Sequence, residues 1–559
     1  MKITGSEIII QSLIEEEVDY MFGYPGGVVI PIFHHLYNAP FKFILSRHEQ
    51  GAIHAADGYA RASGKPGVVI ATSGPGATNL ITGIATAHLD SIPLVVFTGQ
   101  VSRNMIGNDA FQEVDVTGIT RPISKHNYLV QDIKDLARII KEAFHIASTG
   151  RPGPVVIDVP VDISNSTFDY SYPKEVNIVG YKPVYEGHSV QIQKACKLIE
   201  QAKKPVIYAG GGVVISGASD ELKKLVKKTG IPITTTLLGL GIYPETDDLS
   251  LEMLGMHGTF YANKAVNEAD LLIAIGARFD DRVTGKIDTF SPDSKVIHID
   301  IDPASVSKNV DVDIPIVGDC KYVLGEMNKI IKKPKITEWV DHINTLKKDN
   351  PLSYVDSDKE IKPQFVVEEI YRLTEGKAVI ATEVGQNQMW AAQFYKYSEP
   401  RTFISSGGLG TMGFGLPAAL GAQLARPDKR VVNIAGDGSI QMNIQELIVA
   451  TQHRLPIIIA ILNNGFLGMV RQWQQLFYDK RYSQTCLNFS PDFEKLAEAY
   501  GAVGITVNKK EEVAPAIERA LSITDKPIMI DFRVSKEENV YPMVPAGKSI
   551  DETIMRELA

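Results

Sequence analysis

Short, unbroken apolar segments rich in β-branched residues recur along the chain, with helical stretches between them. They read GVVIAT at 67–72, PLVVFT at 93–98 and PVVIDV at 154–159; KPVIYA at 204–209, LLIAI at 271–275 and VIHIDI at 296–301; then VVNIA at 431–435 and PIIIAIL at 456–462. A strand with one wet face alternates apolar and polar residues, whereas a continuous apolar strand is buried on both faces. That burial requires a parallel sheet with helices on either side. The expected fold class is therefore α/β, with three domains, each a mainly parallel sheet covered by helices. A Tyr-, Pro- and Lys-rich stretch at 168–187 and a polar stretch at 332–363 separate the three runs. These breaks predict domains at 1–167, 188–335 and 360–540, with a tail at 541–559. A length of 559 residues with 44% apolar and 22% charged residues lets each domain bury its own core.

The net charge of −9 argues against a nucleic-acid-binding role, which needs a basic face. The three cysteines, Cys196, Cys320 and Cys486, are far apart and form no CxxC pair, which disfavours a disulfide framework and a thiolate metal site. The start MKITGSEIII, soon followed by Glu15, Glu16 and Glu17, resembles neither a signal nor a transit peptide, and no apolar run reaches membrane-spanning length. A soluble, cytoplasmic protein without membrane or nucleic-acid partners is expected.

Gly436-Asp437-Gly438-Ser439 directly follows one predicted strand, and Asn463-Asn464 directly follows the next; 28 positions separate Gly436 from Asn464. Both ends then lie at the carboxyl edge of one parallel sheet, where open α/β sheets bind ligands. Asp437 and Asn464 offer hard oxygen ligands for Mg²⁺, the glycines let the backbone approach a phosphate, and a following helix would add its positive end. A lone GDG is equally a plain turn; the Asn pair at this spacing makes the reading specific. GDGS…NN resembles the signature of thiamin-diphosphate enzymes. The resemblance implies that Asp437, Asn464 and the backbone carbonyl of Phe466 hold Mg²⁺. It also implies that Gly436, Gly438 and Ser439 contact the cofactor's diphosphate.

Arg47-His48-Glu49-Gln50-Gly51 follows a predicted strand at 41–46 and opens a helix. On local sequence alone, Glu49 reads equally as a helix-capping acid or as a catalytic carboxylate. The stretch from Arg47 to Asn79 is similar to the pyrimidine-binding domain of the same family, and this implies that Glu49 activates the cofactor through its pyrimidine ring. In the glycine-rich segment 405–415 the same resemblance implies Met412 as a wedge under the cofactor and Gly410 as a backbone contact, although such a loop is elsewhere commonly a flexible turn with a core methionine. Gln386, Asn387 and Met469 are implied as further cofactor contacts, and a plain turn would read much the same at the first two. In such relatives the cofactor sits between one subunit's first domain and its partner's last, so the resemblance implies a homodimer or homotetramer.

Three further stretches resemble the acetohydroxyacid synthase family. In GNDAFQE at 107–113, Asn108 replaces the usual Thr; Phe111 is implied to line the substrate pocket and Gln112 to place the reacting group, with Lys125 and Gly27 in the same catalytic set. LGMHGT at 254–259 and GARFDDRVTG at 276–285 match the family's flavin domain. FAD is there expected to touch Arg151, Gly211, Gly212, Thr235, Leu238, His257, Gly258, Gly276, Ala277, Arg278, Asp280, Arg282, Asp300, Ile301, Asp319 and Cys320. Taken alone, Gly210-Gly211-Gly212 is a weak signal, and a run such as RFDDR is usually a solvated face. In LGMVRQW at 467–473, Val470 and Trp473 are expected in the second-substrate pocket, although a tryptophan here also suits packing. The expected activity joins a two-carbon unit from pyruvate to pyruvate or 2-ketobutyrate, in branched-chain amino-acid biosynthesis, using thiamin diphosphate, Mg²⁺ and FAD. The family admits a small regulatory subunit. A catabolic, FAD-free acetolactate synthase or other carboligase, and a non-catalytic flavin-binding homologue, are the alternatives.

Overall fold

The computed structural model describes residues 2–555. Three six-stranded, wholly parallel sheets follow one another. The first contains β1 (Tyr20–Gly23), β2 (Lys42–Leu45), β3 (Gly67–Ala71), β4 (Leu94–Gln100), β5 (His126–Leu129) and β6 (Pro154–Pro160), in the spatial order β2-β1-β3-β4-β6-β5. The second contains β7 (Pro205–Ala209), β8 (Ile233–Thr235), β9 (Ser250–Met253), β10 (Leu271–Ile275), β11 (Lys295–Asp300) and β12 (Ile314–Val317), ordered β9-β8-β7-β10-β11-β12. The third contains β13 (Val379–Thr382), β14 (Phe403–Ile404), β15 (Val431–Gly436), β16 (Ile458–Asn463), β17 (Val503–Val507) and β18 (Ile528–Arg533), ordered β14-β13-β15-β16-β18-β17. The outer two sheets thus share one topology, while the middle sheet has the order of dinucleotide-binding domains. Every residue of β3, β4, β6, β7 and β10 is buried, as their unbroken apolar sequences require.

Five helices position the site: α1 (Glu49–Ser63), α2 (Ile81–Asp90), α3 (Gln386–Phe394), α4 (Gly415–Ala425) and α5 (Gly468–Phe477). Helices α1 and α4 cross main chain to main chain. A Cβ on Gly58 would overlap the Ala418 carbonyl, and one on Gly421 would overlap the Ala55 carbonyl. Around this crossing the first and third sheets share one apolar core that includes Phe22, Tyr59, Phe414 and Ile459. The middle domain keeps a core of its own.

Two segments differ from expectation. The polar stretch after 335 contains a helix, Thr337–Asp349, whose Trp339 and Ile343 lie in the middle core, with Trp339 Nε1 donating to the Pro205 carbonyl over 3.1 Å. Its charged outer face hides one apolar stripe, so the second domain continues past 335. The tail also folds back onto that domain: Val544 N donates to Met256 O over 2.8 Å, and Ile550 is buried in the middle core. Among the described residues no helix is long and apolar enough to cross a membrane.

Candidate active site

Strands β15 and β16 pair in register, Gly436 against Leu462, so Asp437 and Asn464 emerge side by side at the carboxyl edge of the third sheet. Asp437 is 1% exposed, and its Oδ2 has no hydrogen-bond partner. Burial pushes its carboxyl up to about 7; the charge of Asp531 adds to this, and main-chain N–H groups oppose it. Asn464 Oδ1 accepts from Phe466 N over 3.0 Å, and its Nδ2 donates to Gln386 Oε1 over 3.1 Å. Gln386 in turn donates to Gln472 Oε1 and to Glu538 O, at 2.9 and 3.0 Å. A buried carboxylate oxygen without a donor is an incomplete site, which a hard dication completes. Among the described residues no group of three or more His, Cys, Asp or Glu could hold a metal. The other ligands to such an ion must therefore be amide, main-chain and phosphate oxygens, as at Asn464 and Phe466. The residues present fit Mg²⁺ with a diphosphate.

The segment after Gly438 departs from the expected helix. Ser439–Glu446 is a 3₁₀ stretch broken at Asn443, whose Nδ2 donates to Gly413 O over 2.7 Å, and a regular helix runs only over Leu447–Gln452. The tie to Gly413 outcompetes helical geometry there, so no long helix follows Gly438. The helix that starts beside Gly436 and Asn464 is α3. Its residue Asn387 has its side-chain Nδ2 engaged by Glu383 O and Ile434 O, at 3.1 and 2.9 Å. What Asn387 retains for a phosphate is its main-chain N–H in the first turn.

Glu383, at the end of β13, is fully buried; its carboxylate accepts from Gly413 N over 2.7 Å and from Leu416 N over 3.1 Å. Burial pushes it up to about 7, while these N–H groups pull it down. It fixes one end of the glycine-rich loop that carries Gly410, at φ +71°, and the half-buried Met412.

Glu49 is the first residue of α1, capped by His48, and Asn79 Nδ2 donates to its Oε2 over 2.9 Å. The turn before it is gripped by the third domain, because Glu446 accepts from Arg47 N at 3.0 and 3.2 Å. The hydroxyls of nearby Thr72 and Ser73 are buried and without partners. Gln112, at φ +60°, lies against Gly74, where a Cβ would come within 2.8 Å of it. Open space surrounds Gly27, and Phe111 is 87% exposed. Among the described residues no hydrogen bond joins Glu49 to Asp437, Asn464, Gly410 or Met412. Lys125 stands apart from this group. Its Nζ donates to Ile146 O, Thr149 O and Tyr181 Oη at 2.5, 2.6 and 2.8 Å, which makes it an anchor for the linker after the first domain.

A cavity of about 700 Å³ opens at the carboxyl edge of the second sheet. It spans the point where the strand order reverses, between Gly211 and Gly212 after β7 and Gly276–Arg278 after β10. The two turns touch: a Cβ on Gly212 would lie 2.7 Å from Gly276 Cα, and Gly276 has φ +55°. Of the residues expected at a flavin, Arg151, Leu238, His257, Asp280, Arg282, Asp300, Ile301, Asp319 and Cys320 also line it. Thr235 and Gly258 do not: Thr235 is buried at the end of β8, and Gly258 is packed under Leu254. Burial pushes Asp300 up to about 6 and holds His257 neutral, near 4. Arginines and acids stand side by side in its wall, Arg151 and Arg278 near Asp300 and Arg278 near Asp280, and a cavity of this size at a strand-order reversal fits a dinucleotide.

Three family descriptions match the chain: thiamine pyrophosphate enzyme N-terminal TPP binding domain over 3–119, central domain over 192–327 and C-terminal TPP binding domain over 383–532. The acetolactate synthase large subunit of Haemophilus influenzae is 50% identical over 99% of this chain and 98% of its own length. That of Corynebacterium glutamicum is 51% identical over 98% and 89%, and that of Buchnera aphidicola subsp. Schizaphis graminum 49% over 99% and 99%. The chain belongs to the acetolactate synthase large-subunit family. As in that family's thiamin-dependent architecture, its first and last domains are thiamin-diphosphate-binding domains and it is an enzyme.

Several residues of the cavity wall escaped sequence reasoning. Leu89, Asp90 and Ser91 from the first domain, and Gln388 and Ser406–Gly408 from the third, line the flavin-sized cavity. No local pattern marks them, because the wall forms only when three domains meet. Met469 and Trp473 line this cavity and also a second one of about 540 Å³, with Val470, Tyr478 and Arg481. Glu446 carries one signal that could have been read: an acid in an otherwise apolar and amide stretch.

Proposed function

We propose that the chain is the catalytic subunit of a biosynthetic acetolactate synthase. It decarboxylates pyruvate and joins the two-carbon unit to pyruvate, giving 2-acetolactate, or to 2-ketobutyrate, giving 2-aceto-2-hydroxybutyrate. The carrying observation is the buried, unpartnered Asp437 oxygen beside Asn464 at the edge of a thiamin-diphosphate-binding domain. Asp437, Asn464 and the Phe466 carbonyl would hold Mg²⁺, with Gly436, Gly438, Ser439 and the first turn of α3, from Gln386, around the diphosphate. Thiamin diphosphate supplies the electron sink that lets a 2-keto acid lose CO₂. Glu49 would keep a hydrogen bond to the pyrimidine ring, Met412 and Gly410 would bend and seat the cofactor, and Gln112 and Met469 would border it. Phe111, Val470 and Trp473 would line the substrate entrance and exclude water.

Among the described residues no hydrogen bond ties Glu49 to Asp437, Asn464, Gly410 or Met412, and Ile30, Met105, Phe111, Met442 and Val470 are exposed at 62, 44, 87, 54 and 52%. Both facts support a dimer in which each Glu49 serves the partner's third domain. The dinucleotide strand order and the 700 Å³ cavity favour FAD as a resident group, against the flavin-free catabolic alternative. Relatives named as large subunits support a small regulatory partner. A product assay tests the reading: pyruvate with and without 2-ketobutyrate, with the acetohydroxy acids identified. Absence of both products from the thiamin- and Mg²⁺-supplemented protein would overturn it.

A further inference from the structure

The glycine-rich loop that carries Gly410 and Met412 has glycines at 407, 408, 410, 413 and 415, so its backbone is entropically loose unless something external holds it. Glu383 of the same domain holds its far end. Its near end is held from the first domain by three buried charges. Asp57 and Arg61 face each other one turn apart on α1, at 2.5 Å, and Arg61 also reaches Asp90 at the end of α2, at 2.8 Å. Both carboxylates are fully buried and the guanidinium nearly so. Asp90 then accepts from Gly408 N over 2.7 Å and from Gly407 N over 3.1 Å, and Arg61 donates to Ser405 O over 2.8 Å. Arg61 also lies over the Phe414 ring, 5.2 Å from its centroid. A neutral tie completes the set: Thr86 Oγ1 of α2 and Thr411 Oγ1 are 2.8 Å apart.

We propose that Asp90, with Arg61 and Asp57 behind it, is a positioning residue for thiamin chemistry. It sets the height of the Gly407–Met412 loop, so that the first domain of a chain fixes the cofactor loop of that chain's own third domain. The proposal rests on the thiamin reading given above. The triad carries one surplus negative charge, and the two glycine N–H groups are what meet it. As a source of stability alone such a triad is a poor device, since apolar side chains of similar volume commonly serve as well. Its distinctive property is direction, because two glycine N–H groups and the Ser405 carbonyl are held at defined points in a stretch whose glycines leave the backbone loose. Gly407 and Gly408 also form part of the wall of the flavin-sized cavity, so the same anchor sits between both cofactor positions.

The test uses the full-length protein with its cofactors. In Asp90→Asn one N–H of the loop meets an amide donor instead of a carboxylate oxygen; Arg61→Lys keeps the charge and loses the fork. Exchange of the thiamin C2 proton is followed by NMR in D₂O at saturating thiamin diphosphate and Mg²⁺, beside kcat and the KM for thiamin diphosphate. The expected result is C2 exchange slower by about tenfold or more and kcat lowered in step, with the KM for thiamin diphosphate changed by less than about threefold. Exchange and kcat within about twofold of the parent would overturn the proposal, as would full recovery of kcat on adding excess cofactor. Where Asp90→Asn does not fold, Thr411→Val carries the test, since it leaves the charges intact: exchange slowed by about threefold or more supports the positioning role, and unchanged exchange overturns it. A parent protein that forms no acetohydroxy acid would instead sink the functional reading, whatever the variants do.

Discussion

Asn464 donates to Gln386 across 3.1 Å, and the space for that contact exists because residue 468 has no side chain: a Cβ on Gly468 would overlap Gln386 Oε1 and lie 2.8 Å from Asn464 Nδ2. The pair fixes the Asn464 side chain, whose oxygen would face the metal in the function proposed above. Gly468→Ala should therefore weaken Mg²⁺-dependent thiamin diphosphate binding by about 10- to 100-fold, the usual cost of losing an outer-shell partner. Titration of cofactor-induced activity against Mg²⁺ checks this. An unchanged half-saturation would show that the contact does not govern the metal.

Removing the charge of Glu49 separates chemistry from binding. Glu49 touches only Asn79 among the described hydrogen bonds, so Glu49→Gln keeps the fold and the Asn79 neighbour. A fall in kcat of about 100-fold or more is expected, within the range of a lost acid–base contribution, with thiamin diphosphate still bound. Equilibrium dialysis of the cofactor beside the product assay distinguishes this from a binding defect.

Glu383 makes a pH prediction. Its ordinary value of 4.5 is pushed up to about 7 by burial. The native state then holds this proton more tightly than the unfolded state, so the stabilisation is fully present below about 4.5 and is lost as pH rises through about 7. In Glu383→Gln that slope disappears. The difference in unfolding free energy between parent and variant should shrink by on the order of 3 kcal/mol from pH 4.5 to pH 7.5. Denaturant titrations at several pH values measure it; a constant difference would reject the assignment.

The touching turns of the second domain supply a fourth test. A side chain at Gly212 must push against the Gly276 backbone, 2.7 Å from the new Cβ. Gly212→Val should cost about 1–3 kcal/mol of stability and abolish flavin retention, because the floor of the cavity moves. Absorbance of the purified protein reports the flavin. Full flavin content in the variant would show that the cavity's glycine floor is not the binding surface.

The central strands were legible because parallel sheets write themselves as unbroken apolar runs: 271–275 was read to the residue and the other runs named within one or two, whereas short or part-exposed strands such as β5, β9, β12 and β17 carry no such run and were not read. That Asp437 and Asn464 come together was legible because each directly follows one of two strands adjacent in both sequence and space. The strand order of the sheets was not, since it depends on which faces the helices cover. The expected helix after Gly438 failed because Asn443 is drawn to Gly413, thirty positions away, and no local propensity encodes that. Lys125 was misleading for a similar reason: its partners at 146, 149 and 181 are assembled only by the folded linker. Asp57, Arg61 and Asp90 carry no local pattern, and only the packing of α1 against α2 and the glycine-rich loop brings them together.

The crossing at Gly58 and Gly421 has a mechanical consequence. Two helices that meet backbone to backbone have no layer of rotatable side chains through which to slide, so the first and third domains of one chain behave there as a single stiff block. Whatever breathing lets a keto acid in and a larger product out must be found in the peripheral pieces: the exposed 104–112 turn, the end of α5, and the tail laid over the middle domain.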